Sequence, residues 1–331
     1  MNSTRASSIR KTGKPVTRRT FISGCAALLA NASGVATASV ISRKKLVLIA
    51  GRDSHAFGEH EHAAGCKLLA RHLRQATNRL DVVVHVGGWP ADEQAIHSAN
   101  AVIIYSDGGN AHPLIGHEQT LELLAKRGAG LGFLHYALIP PDESNFPHML
   151  KWIGGYYEQS WSVNPLWSAQ FTALPDHPIT RGVVPFTIHD EWYYHMRFRD
   201  DLRNVVPLLS ALPPAETLKR PDGPHSNNPH VRAAVLGRKE HQHVAWAFKR
   251  RDGGRGLGFT GGHFHWNWAH DEYRTFLLNA AAWLAGVNVP KAGLRSAAPD
   301  MDELLRGLAK PPDNWNRAGV EAMLRAWRQG K

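Results

Sequence analysis

The first half of the chain alternates between short, continuous apolar runs and longer amphipathic stretches. The apolar runs cover residues 45–50, 81–86, 101–105 and 131–135. A strand without polar alternation is buried on both faces, as in the centre of a parallel sheet. Helical patterns separate these runs at residues 61–76, 91–98 and 115–126. This order predicts βαβ units and a three-layer α/β fold, with a mainly parallel central sheet and helices on both faces.

The second half of the chain is less regular. Strands are predicted at residues 169–174, 205–210, 231–236, 243–248 and 257–260, and a helix at residues 271–285. No linker rich in proline, glycine or serine interrupts the chain before residue 290, and beyond it the sequence turns polar. We therefore predict one α/β domain at residues 44–289. A polar tail with short helices on either side of Pro311 and Pro312 follows at residues 290–331.

The distribution of charge argues against a nucleic-acid partner. The 331 residues carry a formal net charge of +11. Six of the basic residues, and no acidic one, fall in residues 1–38, which leaves +5 for the remainder. That remainder has no basic stripe interleaved with aromatic side chains, which is the usual footprint of nucleic-acid binding.

Residues 1–38 have the organisation of an export signal. TRRTFI at 17–22 contains the paired arginines Arg18 and Arg19 of a twin-arginine signal. A weakly apolar stretch of small residues follows, and ATA at 36–38 supplies a cleavage site. A disordered basic tail is the alternative. Export would place the protein in the periplasm or outside the cell, with no integral membrane segment once the signal is removed. The mature chain would keep one cysteine, Cys66, which is predicted to be buried in the first helix.

The richest stretch for chemistry is GRDSHAFGEHEH at residues 51–62, directly after the first predicted strand. Ligands of parallel α/β sheets bind beyond the carboxyl ends of the strands. If residues 58–62 are extended, the side chains of His60 and His62 point to the same side. They are then a candidate pair of metal ligands or acid/base groups. The alternative is a solvated polar loop that leads into a helix.

Three later stretches could join this loop. GGHFHWNWAH at 261–270 follows a predicted strand, and an extended backbone would place His263, His265 and Asn267 on one side. DEWYYH at 190–195 offers two carboxylates, two phenols and an imidazole, although an edge strand with ordinary hydrogen bonds would explain it equally well. His135 ends the fourth predicted strand, a position at which an imidazole is more often functional than structural.

These segments, in this order, resemble the ThuA-like family, whose type member is a trehalose utilisation protein. The resemblance covers residues 45–289. It rests on the loop after strand one, GLGFLHY at 130–136, DHPITRG at 176–182, DEWYYH, AWAFKRRDGGRGLGFTGGHFH and LLNAAAWLAG. It implies a class I glutamine amidotransferase-like, or flavodoxin-like, fold, in which a cysteine occupies the sharp turn after a central strand. His135 stands at or near that place here, so a cysteine-dependent amidotransferase is not expected.

The resemblance implies carbohydrate metabolism, with two hypotheses of different classes. In the first, the protein is a sugar-processing enzyme of lyase, hydrolase or isomerase type that acts on a disaccharide or a 3-keto-glycoside. In the second, it is an exported, non-catalytic carbohydrate-binding protein whose aromatic rings stack on sugar faces. The clustering of titratable groups favours the enzyme. Neither hypothesis fixes the oligomeric state.

The enzyme hypothesis assigns three kinds of role. The candidate catalytic residues are His135, Asp190 and Glu191. The candidate substrate-binding residues are His55, Asp107, Tyr193 and Asn267. The candidate metal ligands are His60, His62, His263 and His265. Imidazoles with carboxylates suit Zn, Ni, Cu or Fe better than Mg or Ca, so a divalent transition metal is the candidate cofactor.

Overall fold

Strands and helices alternate along residues 42–199 and 202–329, which the computed structural model describes. The strands are β1 (Lys44–Ala50), β2 (Leu80–His85), β3 (Ala101–Tyr105), β4 (Gly130–Leu134), β5 (Gly155–Tyr156), β6 (Leu166–Phe171), β7 (Phe186–Glu191), β8 (Arg197–Phe198), β9 (Val205–Ala211), β10 (Gln242–Lys249) and β11 (Arg255–Phe259). The helices are α1 (His62–Ala76), α2 (Gln94–His97), α3 (Glu118–Lys126), α4 (Phe146–Trp152), α5 (Pro229–Arg232), α6 (Asp271–Leu284), α7 (Met301–Leu305) and α8 (Arg317–Gln329). Short 3₁₀ turns at Gly109–Ala111, His135–Leu138 and His265–Ala269 follow strand ends.

A seven-stranded sheet of order β2-β1-β3-β4-β11-β10-β9 forms the centre of the fold. The strands β2, β1, β3, β4 and β11 pair in parallel, whereas β10 pairs antiparallel with both β11 and β9. Two small antiparallel sheets pair β5 with β8 and β6 with β7. The predicted α/β fold with a mainly parallel central sheet is confirmed.

Side chains of β1 enter two different apolar cores, because successive residues of a strand point to opposite faces. Leu46 and Leu48 pack in one core with α1 and α6. Val47 and Ile49 pack in the other with α3 and α4. Helices therefore cover both faces of the sheet, as predicted, and the strand carries no polar face because it has no solvent face.

The predicted strand at residues 231–236 is wrong, because this stretch is helical. The Asn228 side chain accepts a hydrogen bond from the Val231 amide, and Pro229 occupies the first turn of α5. Both are helix-start signals. They outweigh the β-branched composition of the stretch, and α5 runs directly into a π-helical turn at Ala233–Gly237.

The tail beyond residue 290 packs onto the same core as α1 and α6. Leu304 of α7 and Leu324 of α8 are both buried in that core. The described residues all belong to one compact unit. The predicted signal peptide at residues 1–38 lies outside the described residues. None of the helices in the described part is long and apolar enough to cross a membrane.

Candidate metal centre

Four side chains from separate segments meet at the carboxyl-terminal edge of the parallel strands. His60 lies in the loop after β1, His135 directly follows β4, and His263 lies in the loop after β11. Glu191 is the last residue of β7. Nitrogen or carboxylate oxygen atoms of these four residues all lie within 4.8 Å of one another. We call these four residues the histidine cluster.

The atoms of the histidine cluster are close enough to share one small ion. His60 Nε2 lies 3.0 Å from both His135 Nε2 and His263 Nδ1. Glu191 Oε2 lies 3.5 Å from His135 Nε2 and 3.3 Å from His263 Nδ1. The side chains of His60 and His135 are almost fully buried, whereas Glu191 keeps 15% of its side chain exposed. Glu191 is therefore the member of the histidine cluster that solvent reaches most.

The backbone adopts unusual conformations to hold these side chains. His60 has φ 47° and His135 has φ 57°, both in the left-handed region that non-glycine residues rarely adopt. Such conformations persist only where surrounding contacts fix them. The His60 amide donates to the His263 carbonyl at 3.0 Å, and an antiparallel bridge pairs Glu59 with Phe264. These contacts tie the loop after β1 to the loop after β11.

Hydrogen bonds fix which nitrogen of His60 and His135 carries the proton. His135 Nδ1 lies 2.8 Å from the Thr260 carbonyl, which can only accept, so Nδ1 donates. His60 Nδ1 lies 2.8 Å from Asp107 Oδ1. Burial raises the pKa of Asp107, but hydrogen bonds from His60 and Ser54 outweigh it and lower that pKa to about 2. The ionised carboxylate accepts, so His60 Nδ1 also donates, and the Nε2 atoms of both rings are the ones turned toward the histidine cluster.

His60 Nε2 and His135 Nε2 thus lie 3.0 Å apart, while both Nδ1 atoms are already engaged. Burial lowers the pKa of His60 to about 3, so its ring is neutral at neutral pH and its Nε2 is an acceptor or a ligand. The spacing of the two Nε2 atoms fits a metal ion bound by both rings.

The acidic member of the histidine cluster supplies charge for such an ion. Burial raises the pKa of Glu191, but hydrogen bonds with His135 and His263 outweigh it, so the carboxylate stays ionised. Burial lowers the pKa of His263, but the adjacent Glu191 carboxylate outweighs it and raises that pKa. The Glu191 carboxylate thus favours the protonated form of His263.

The histidine cluster also has the dimensions and chemistry of a transition-metal site. Four ligands around zinc at its usual bond lengths of about 2.0–2.2 Å lie about 3.4 Å apart. Four of the six pairwise distances in the histidine cluster are 3.0–3.5 Å, and all six lie within 4.8 Å. Ligating histidines commonly donate their second N–H to a carboxylate or a carbonyl, as His60 and His135 do here. Three imidazoles and one carboxylate suit zinc, iron, copper or nickel.

Comparisons with known proteins agree with the fold and the sequence motifs. The family model described as trehalose utilisation, ThuA, matches residues 47–284. The chain belongs to the ThuA family. No functionally curated protein matches it in sequence.

Solved structures similar to this ThuA-family chain include two ThuA-like proteins. One, from Bacteroides uniformis ATCC 8492, is 18% identical with a TM-score of 0.49, over 77% of this chain and 98% of that one. The other, from Parabacteroides merdae ATCC 43184, is 15% identical with a TM-score of 0.47, over 80% of this chain and 99% of that one.

Several further residues that the sequence singled out in this ThuA-family chain lie beside the histidine cluster. Tyr193 Oη is 3.2 Å from His135 Nε2, and Asp107 orients His60. His55 is exposed and stacks on His60 with ring centroids 3.6 Å apart. Ligand atoms of His55, His60 and Asp107 also lie within 4.8 Å of one another, so His55 borders the same site on its exposed side.

His62 lies close to the histidine cluster but is not one of its four members, which corrects the predicted His60 and His62 pair. His62 begins α1, so the extended alternation on which the pair depended ends before it. Its Nδ1 donates to the Arg52 carbonyl at 2.8 Å. Its Nε2 is buried without a hydrogen-bond partner and lies 3.8 Å from Asp107 Oδ1.

His265 and Asn267 lie away from the histidine cluster, because residues His265–Ala269 form a 3₁₀ turn rather than an extended strand. His265 Nε2 is 3.0 Å from the Leu304 carbonyl. The Asn267 amide donates to the His189 carbonyl at 2.9 Å. The predicted alignment of His263, His265 and Asn267 on one side is therefore wrong.

Asp190 holds the backbone of the loop that carries His263. Its carboxylate accepts from the amides of Gly262 at 2.9 Å and His263 at 3.1 Å, and Tyr273 donates to it. Asp190 is fully buried, so it holds the loop backbone and does not face a substrate. Its neighbour Glu191 points the other way, as alternation along β7 requires.

Ser54 and Glu59 lie beside the site but were not predicted from the sequence, although both belong to the loop at residues 51–62. Ser54 Oγ contacts His55 Nδ1 at 2.8 Å and lies 3.5 Å from His60 Nδ1. Glu59 Oε1 lies 3.6 Å from His263 Nε2. Their position in a loop rich in histidine was the available signal, but their small or flexible side chains gave no pattern of their own.

Proposed function

We propose that this ThuA-family protein is a metal-dependent enzyme that acts on a disaccharide or an oxidised glycoside such as a 3-keto-glycoside. The ligands would be the histidine cluster: His60, His135, Glu191 and His263. The observation that carries the proposal is the convergence of three imidazole nitrogens and one carboxylate oxygen within 4.8 Å of one another. His60 and His135 use Nδ1 for hydrogen bonds to Asp107 and to the Thr260 carbonyl, so their Nε2 atoms are turned toward each other, 3.0 Å apart.

A transition metal bound there would act as a Lewis acid on a sugar hydroxyl or carbonyl oxygen. The chain's own residues would prepare the site. Asp107 and the Thr260 carbonyl hold the His60 and His135 rings in the tautomer that presents Nε2. Tyr193 places a hydroxyl beside His135, at 3.2 Å, where it can bind or exchange a proton with a substrate oxygen. His55 is exposed and stacks on His60, so it is the candidate group for contact with a substrate that approaches from solvent.

Two cavities have room for a carbohydrate, and one of them borders Asp107, the carboxylate that orients His60. One, of about 440 Å³, is lined by Arg52 and Asp107. The other, of about 390 Å³, is lined by Tyr157 and Glu158. Asn110 lines both of them. Amide, carboxylate and guanidinium groups are ligands for sugar hydroxyls, which supports a carbohydrate substrate.

The N-terminal sequence supports a location outside the cytoplasm. The paired Arg18 and Arg19, followed by ATA at 36–38, would direct the folded protein through the twin-arginine pathway to the periplasm or beyond. The proposed activity would then meet its sugar in that compartment.

Metal analysis combined with a turnover screen tests the proposal. The purified protein is loaded with zinc, iron, nickel or copper, dialysed and assayed for bound metal. It is then screened on disaccharides and 3-keto-glycosides. We expect close to one ion per chain and turnover that a chelator abolishes. Sugar binding without metal and without turnover would instead support a non-catalytic carbohydrate-binding protein.

A further inference from the structure

A tryptophan from the C-terminal tail lies against the loops that carry the histidine cluster. Trp315 belongs to the chain beyond residues 47–284, the part that matches the family model. Its ring centroid is 5.1 Å from that of Phe57 and 5.4 Å from that of Trp266. Phe57 is three residues before His60, and Trp266 is three residues after His263. Trp315 thus contacts both ligand-bearing loops at once.

The three rings sit directly behind the junction of these loops. Phe57 and Trp266 also contact each other, with centroids 5.9 Å apart. Gly58 has φ 86°, and a Cβ there would lie 2.5 Å from the Trp266 ring, so only glycine permits this approach. The His265 amide donates to the Gly58 carbonyl at 2.8 Å, which continues the pairing that holds His60 against His263.

Trp315 is an isolated anchor in its part of the tail. It is half-buried, whereas Asp313, Asn314 and Asn316 around it are exposed. Elsewhere the tail is attached independently, since Leu304 of α7 is fully buried and Trp327 of α8 contacts His270 with centroids 5.1 Å apart. Loss of the Trp315 ring would therefore release the loops while the rest of the tail stays docked.

We infer that Trp315 is a positioning residue, which clamps the loops after β1 and β11 so that His60 and His263 stay at the separation a shared metal ion requires. The inference rests on the proposed metal-dependent function. The clamp is needed because His60 holds a strained left-handed conformation at φ 47°, which only neighbouring contacts maintain. A ligand displaced by about an ångström no longer completes a metal site.

The test compares three variants of the full chain: Trp315→Ala, Trp315→Phe and the matched control Trp327→Ala. Zinc affinity is measured by competition with a chromophoric chelator, and cobalt spectra report ligand geometry. We expect Trp315→Ala to weaken zinc binding about 10- to 100-fold, as supporting residues of metal sites typically do, and to alter the cobalt spectrum. Trp315→Phe should restore most of the affinity, and Trp327→Ala should bind zinc within about twofold of the parent.

Hydrogen exchange of the metal-free proteins separates this inference from the proposed function. Amides of residues 54–60 and 262–265 should exchange faster in Trp315→Ala than in Trp327→Ala. Equal exchange in the two variants, or equal zinc affinity, would overturn the role of Trp315. A parent protein that binds no zinc or cobalt would overturn the proposed function and, with it, the positioning of ligands, even where loop exchange differs.

Discussion

Separate replacement of His263 and His265 tests whether the metal ligands are those seen in the structure or the pair predicted from the sequence. His263 contributes Nδ1 to the histidine cluster, 3.0 Å from His60 Nε2. His265, two residues later, instead hydrogen-bonds the Leu304 carbonyl at 3.0 Å. Both side chains are buried. His263→Ala should therefore lose metal, and His265→Ala should lose stability and keep metal.

The expected magnitudes follow from these contacts. Structural zinc sites bind with about 10–16 kcal/mol, so one of four ligands accounts for about 3–4 kcal/mol. His263→Ala should thus weaken zinc binding about 10²- to 10³-fold. His265→Ala leaves the buried Leu304 carbonyl without its partner, which costs about 1–3 kcal/mol of unfolding free energy. Its zinc affinity should stay within about twofold of the parent.

Two measurements on the same preparations check this prediction. Zinc affinity is obtained by chelator competition, and the unfolding free energy of the metal-free protein by urea titration. His265→Ala should unfold at lower urea with unchanged zinc affinity, and His263→Ala should show the converse. Zinc binding by His263→Ala as tight as in the parent would refute the ligand assignment. Equal zinc loss in both variants would refute the placement of His265 outside the site.

Three further predictions concern the proton on His60, the buried His112 outside the histidine cluster, and export. Asp107→Asn removes the carboxylate that fixes the His60 tautomer and should weaken zinc binding about 10- to 100-fold in the same competition assay; unchanged affinity would contradict the role of that bond. Burial, which outweighs the bond to the Ala137 carbonyl, lowers the pKa of His112 to about 4. Protonation of His112 therefore favours the unfolded chain, and about 3 kcal/mol of unfolding free energy present above pH 6.5 should be lost as the pH falls to 4. In urea titrations at several pH values, the unfolding free energy of His112→Gln should fall less steeply with pH than that of the parent. The same pH dependence in both proteins would contradict this role of His112. Replacing Arg18 and Arg19 with lysines should retain the protein in the cytoplasm by cell fractionation, and normal export would remove the twin-arginine interpretation.

Much of the sheet was predictable because the side chains of its central strands pack against apolar cores on both faces. The run at residues 45–50 faces apolar cores on both sides, so its composition alone identifies a buried strand. The stretch at 231–236 carries similar β-branched residues but follows the Asn228 and Pro229 helix start. Composition over six residues could not decide there between strand and helix, whereas the capping residues could have.

The sequence predicted which loops form the candidate site, but it did not predict which of their side chains enter it. Two histidines separated by one residue point to the same side only if the backbone between them is extended, and neither of the two predicted pairs is extended. His62 already belongs to α1, and His265 already belongs to a 3₁₀ turn. The same limit applies to Asp190 and Glu191, adjacent carboxylates of which one supports the loop and the other faces the histidine cluster. Backbone conformation at single residues decides each case, and no periodicity reports it.

The order of strands in the sheet explains why the site draws on such distant parts of the sequence. β1, β3, β4 and β11 are consecutive neighbours, and the segment that follows the carboxyl end of each contributes one residue. These residues are His60, Asp107, His135 and His263. At the turn after β4, where the amidotransferase-like resemblance places a cysteine, His135 has its ring fixed by the Thr260 carbonyl. The one cysteine in the described part of the chain, Cys66, is buried in α1, and burial raises the pKa of its thiol. An imidazole whose Nδ1 is engaged at this turn can present Nε2 to an ion but has no thiolate to offer, which is why the proposed chemistry there is ligation and not thiol attack.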